Sequence, residues 1–71
     1  MATDVCAEMV ANVVTLVVAA GDSVAAGDTL LILESMKMEI PVLAETGGTV
    51  AEIKVTEGDV VQEGDVLVVL G

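Results

Sequence analysis

Residues 10–34 read VANVVTLVVAAGDSVAAGDTLLILE, and residues 47–71 read GGTVAEIKVTEGDVVQEGDVLVVLG. Laid over one another at an offset of 37, the two stretches align without gaps. They agree at Val13/Val50, Val18/Val55, Gly21/Gly58, Asp22/Asp59, Val24/Val61, Gly27/Gly64, Asp28/Asp65, Leu30/Leu67 and Leu33/Leu70. Nine identities in 25 positions exceed what a Val-rich chain gives by chance. Each half therefore reads as strand, Gly-Asp turn, short apolar link, Gly-Asp turn, strand. Glycine accepts positive φ without a steric penalty, and aspartate bonds to its own local backbone, so the pair is turn chemistry. Four such pairs in register make a structural role for Gly21, Asp22, Gly27, Asp28, Gly58, Asp59, Gly64 and Asp65 the expected one.

Two halves this small cannot bury a core alone and should pack face to face about a quasi-twofold axis. The spacing predicts strands over 6–10, 13–18, 29–35, 38–42, 49–55 and 65–70, with short pieces at 23–26 and 60–62. A helix over 13–33 would enclose two glycines, each costing about 1 kcal/mol, and is rejected. The chain of 71 residues is read as one domain, its halves joined through Met36 and Lys37.

Composition narrows the function classes. The chain is 55% apolar with no aromatic residue, which favours strands and a thin core of small side chains. Twelve carboxylates stand against two lysines, a formal charge of −10. Such a surface repels phosphate backbones and anionic lipid, so neither a nucleic acid nor a membrane is the expected partner. There is no His or Tyr, and the single cysteine, Cys6, excludes an internal disulfide and a paired-cysteine metal or redox site. It reads as a small buried or partly buried apolar residue. The opening residues have no basic region followed by an apolar run, and a cytoplasmic location is the expectation.

The segment TLLILESMKMEIPV, residues 29–42, contains no glycine and a single proline. As one straight strand it would extend about 46 Å, at ~3.3 Å per residue. A chain of this length folds to a diameter on the order of 29 Å. It must turn, and its middle is Met36 and Lys37. That pair is poor hairpin material, because two-residue turns want positive φ and usually recruit Asn or Gly. Local rules fail most often where function imposes a different demand. Lys37 could simply close a surface turn. Its alternative role is an exposed nucleophilic amine whose flexible stem carries an attached group. Lys54 sits in an ordinary alternating strand and reads as a solvated face.

The run ESMKM at 34–38 resembles the attachment signature of biotinyl domains, whose central lysine receives biotin through an amide. The likeness extends through GDSVAAGDTLLILESMKMEIPVLAETGGTV and EGDVVQEGDVLVVL, almost the whole chain, and follows the biotinyl/lipoyl pattern. Length and the MKMEIPVLAE stretch are similar to the small free-standing biotinylated proteins of actinobacteria. The resemblance implies an all-β fold, a flattened barrel or sandwich of two four-stranded antiparallel sheets. It makes Lys37 the biotin-bearing residue at a hairpin tip, with Met36, Met38 and Glu34 read by biotin protein ligase. Ser35 stands where the family more often has Ala, and Ala11 where it often has Gly. The implied function is a monomeric carrier moving a carboxyl group between a biotin carboxylase and a carboxyltransferase, with no catalytic residue or metal of its own. A lipoyl-type carrier, which usually shows an Asp-Lys-Ala type of turn, and an unmodified binding or regulatory module are the alternatives.

Overall fold

The computed structural model describes residues 2–71; Met1 lies outside the described residues. Eight strands follow one another: β1 (Thr3–Cys6), β2 (Ala11–Leu16), β3 (Ser23–Val24), β4 (Thr29–Ser35), β5 (Met38–Leu43), β6 (Gly48–Ile53), β7 (Val60–Val61) and β8 (Val66–Leu70). They form two four-stranded antiparallel sheets, ordered β1-β8-β6-β3 and β5-β4-β2-β7. No helix occurs among the described residues, and the fold is the all-β sandwich that the repeat implies.

The offset of 37 carries β2 onto β6, β3 onto β7 and β4 onto β8, and β1 falls on the last four residues of β5. Under that exchange one sheet order becomes the other. Each sheet draws strands from both halves, so neither half can be lifted out intact.

The Gly-Asp turns do more than reverse the chain. In each, the aspartate side chain accepts the N–H three residues before it: Ala19 to Asp22, Ala25 to Asp28, Thr56 to Asp59 and Gln62 to Asp65, all at 2.9 Å. The glycines take φ between 93° and 97°, a conformation closed to most side chains. The turn so fixed presents its glycine N–H and aspartate C=O to one residue elsewhere in the chain. Gly21 N–H donates to Val50 O at 2.7 Å, and Val50 N–H donates to Asp22 O at 2.8 Å. The Gly58-Asp59 turn holds Val13 in the same way, Gly27-Asp28 holds Ala44, and Gly64-Asp65 holds Ala7. All four residues so clamped are buried.

Four β-bulges, two per half, bend the strands around the core. Opposite β5 the register slips between Thr29 and Leu31, leaving Leu30 as the extra residue; opposite β1 the slip leaves Leu67 extra. Strict alternation would send neighbouring residues to opposite faces. The slips instead bury Leu30 with Leu31, and Leu67 with Val68, at full depth. Val13, Val24, Leu30, Val50, Val61 and Leu67 belong to the core, whereas Val18 and Val55 pack against it half-buried.

The strand expected over 6–10 is corrected to Thr3–Cys6, and residues 7–10 form a loop; Cys6, expected to be buried or partly buried, is exposed at the end of this edge strand. Cys6, Ala7, Met9 and Val10 flank a single charge and give no period-2 pattern that would bound a strand. The repeat continues leftward through Val5/Val42, Ala7/Ala44 and Glu8/Glu45, and the clamp on Ala7 ends β1 as the clamp on Ala44 ends β5. β2 also starts two residues earlier than expected and stops at Leu16, where both Val17 and Val18 N–H groups turn onto Leu30 O.

Candidate functional site

Strands β4 and β5 pair through Ser35 opposite Met38, leaving Met36 and Lys37 as a two-residue loop. Both have positive φ, 54° at Met36 and 65° at Lys37, and they are the only non-glycine residues so placed among those described. Right-handed strand twist selects this mirror-image turn whatever the sequence, and the long ladder of β4 on β5 enforces it here. Neither side chain repays the strain by packing. Met36 is 90% exposed, Met38 is 62% exposed, and Lys37 is exposed as well.

The two lysines differ in their surroundings. Lys54, one residue past the end of β6, has its Nζ 3.1 Å from Glu52 Oε2, whereas Lys37 enters no salt bridge among the described residues. Half-buried Glu34 sits directly opposite exposed Glu39, one pair down from the tip. Like charges facing each other across a strand pair destabilise it, so the carboxylates are not there to hold the hairpin. Glu39 was not singled out in the sequence. Its signal was available, because a two-residue turn at 36 and 37 necessarily faces residue 39 with residue 34.

Glu34, Met36, Lys37 and Met38 are thus brought together at one end. The eight Gly-Asp residues are not part of this cluster; they form the four clamps. β2 starts beside the tip, with Asn12 opposite Glu34. The turn after it grips Val50, whose neighbour Thr49 pairs with Gly71. The six residues of β2, about 20 Å at ~3.3 Å each, separate the lysine from the paired Thr3 and Leu70. Ala11 opens β2 as Gly48 opens β6; it keeps negative φ and joins the core, so the departure from glycine costs no backbone strain.

The family model described as "Biotin-requiring enzyme", the biotin/lipoyl model, matches residues 2–70. The chain belongs to the biotin/lipoyl family. A relative from Mycobacterium leprae, "Biotinylated protein TB7.3 homolog", is 58% identical over 52 residues, 73% of each chain. Among solved structures, the urea carboxylase of Kluyveromyces lactis superposes with a TM-score of 0.94 at 37% identity; the match covers all of this chain and 6% of that one. The lipoyl domain of the 2-oxoglutarate dehydrogenase complex from Azotobacter vinelandii superposes at 0.76 with 34% identity, covering 87% of this chain and 78% of that domain. Proteins named for biotin and for lipoyl therefore share this fold, and the fold alone does not decide between them.

Proposed function

We propose that this biotin/lipoyl domain is a biotin carboxyl carrier and that Lys37 is its attachment residue. The observation that carries the reading is the tip itself: an unpaired amine held out on a strained two-residue turn between two exposed methionines. The lysine stem has open solvent to project into, and the apolar flanks offer contact to a protein that must read the site. Biotin protein ligase supplies biotinyl-adenylate. The Lys37 amine attacks its carbonyl, an amide forms, AMP leaves, and the amine's proton passes to solvent. Biotin, once attached, accepts a carboxyl group at one protein and gives it up at another. The domain contributes position, since tethering replaces a dilute cofactor with a high effective concentration at each station. A biotin carboxylase and a carboxyltransferase are the corresponding partners, met by a monomeric carrier in the cytoplasm.

The Met-Lys-Met tip favours biotin over lipoate, which the shared fold does not decide. The test is labelling by biotin protein ligase with ATP and biotin, read by streptavidin binding and intact mass. Wild type and Lys54→Arg should be labelled equally. Lys37→Arg should keep the melting temperature and take no label, because arginine keeps its proton and cannot attack the adenylate. Labelling of Lys37→Arg would overturn the site. Labelling of the wild type by a lipoate ligase but not by biotin protein ligase would overturn the cofactor.

A further inference from the structure

Strands β1 and β5 each form an edge of one sheet, and together they line a groove of about 440 Å³. Its floor is the core, reached at Leu33 and Leu70, a pair related by the offset of 37. The groove therefore follows the quasi-twofold axis. Val5 and Val42, another related pair, stand along its walls. Its volume has room for about three groups of benzene size, at about 150 Å³ each. Asp4, Glu8 and Glu45 also line it, and neither lysine does.

We infer that this groove docks a cationic amphipathic helix of a partner protein, its apolar face against Leu33 and Leu70 and its Lys or Arg residues toward the carboxylates. Charge complementarity selects that occupant. A second copy would bring the same three carboxylates and a net charge of −10, and its one cationic side chain outside an ion pair among the described residues is Lys37 at the tip. An anionic ligand would meet the same repulsion. Added strands are discouraged on both sides. Pro41 in β5 offers no N–H to a neighbour, and the position related to it in β1 is the charged Asp4. The occupant must then insert side chains rather than pair its backbone. The six residues of β5 extend about 20 Å, which a helix of about 13 residues spans. Met36 and Lys37 stay outside the groove, so a partner could hold the body while the tip remains free. This inference stands apart from the biotin reading, since none of the groove residues is at the tip.

The test is a methyl NMR titration of the unmodified full chain with a synthetic amphipathic helix of about 14 leucines and lysines, long enough to fill the groove. The same peptide with glutamates for lysines is the control. Saturable shifts should appear at Leu33, Ile40, Val42 and Leu70 with the lysine peptide and not with the control. Glu8→Lys with Glu45→Lys should weaken binding about tenfold, whereas Glu39→Lys with Glu63→Lys, an equal change of charge elsewhere, should change it less than about twofold. Leu43→Asn, a charge-neutral change at a 46% exposed groove residue, should also weaken it by about tenfold. Melting curves confirm that each variant is folded. Equal weakening by the two charge-reversed pairs would overturn the inference, because binding would then follow net charge alone. Shifts confined to the outer sheet faces would overturn it too, as would sedimentation of the peptide-free chain as a dimer with the groove methyls protected.

Discussion

Replacing Met36 with Asn and Lys37 with Gly should make the protein more stable while destroying its attachment point. Each wild-type residue is held in the left-handed region, at φ 54° and 65°, where an L side chain costs roughly 1–2 kcal/mol. Gross strain at the tip is therefore about 2–4 kcal/mol. Asn tolerates this conformation and Gly is at ease in it, so most of the strain is released. Against this stands the added backbone freedom of Gly in the unfolded chain, about 0.5–1 kcal/mol. Little packing is forfeited, because Met36 is 90% exposed. The net gain is about 1–3 kcal/mol, and a domain of this size gains roughly 4–8 °C in Tm per kcal/mol. Differential scanning calorimetry at fixed pH and salt should show a rise of about 5–20 °C. Lys37→Gly alone should recover part of it. An unchanged or lower Tm in the double variant would refute the reasoning, since it would mean that the tip is relaxed as it stands, or that its side chains hold the fold.

Met36→Gly should leave Tm nearly unchanged or slightly raised while slowing the initial rate of labelling by biotin protein ligase; a normal rate would show that the ligase does not read Met36. Gly21→Ala should cost about 1–3 kcal/mol in denaturant unfolding, all of it backbone strain, because nothing lies within 4 Å of where the new Cβ would be. Asp28→Ala removes the acceptor of the Ala25 N–H and should cost about 0.5–1.5 kcal/mol, with Asp28→Asn recovering most of it by the same measurement. Glu57→Gln should move stability by less than about 0.5 kcal/mol, since the Leu16 N–H it accepts at 2.9 Å is at an exposed site, and the amide oxygen can still accept.

Much of the architecture was legible because glycine and aspartate carry strong local chemistry. Four Gly-Asp pairs at matched spacing expose both the repeat and its turns, and strand β4 was bounded correctly over 29–35. The N-terminal strand was misplaced for a physical reason. Ala7 and Glu8 are matched with Ala44 and Glu45, but that part of the repeat carries no glycine to announce it, and CAEMV has no alternation to place a strand boundary. The bulges were invisible, since two adjacent leucines do not reveal which strand slips. Lys37 stood out through a conflict between local propensity and compactness: a long strand had to turn where no turn former was available. The groove depends on pairings between strands far apart in the chain, which composition and spacing do not encode one segment at a time, whereas the facing of Glu34 and Glu39 follows from the turn at 36 and 37 alone.

The clamps also set the timing of assembly. Gly64 holds Ala7 from near the other end of the chain, and Gly58 reaches back to Val13. Neither contact can form until most of the intervening backbone has been brought home, so loop-closure entropy falls due before the reward arrives. Folding should be slow for so small a domain, in the millisecond-to-second range typical of all-β topologies. Once closed, no clamp opens without loosening both sheets, and the amides of Ala7, Val13, Ala44 and Val50 should exchange with solvent only through global unfolding. The molecule is accordingly either whole or unfolded, and a half-open form exposing its valine-rich strand edges to aggregation is scarcely populated.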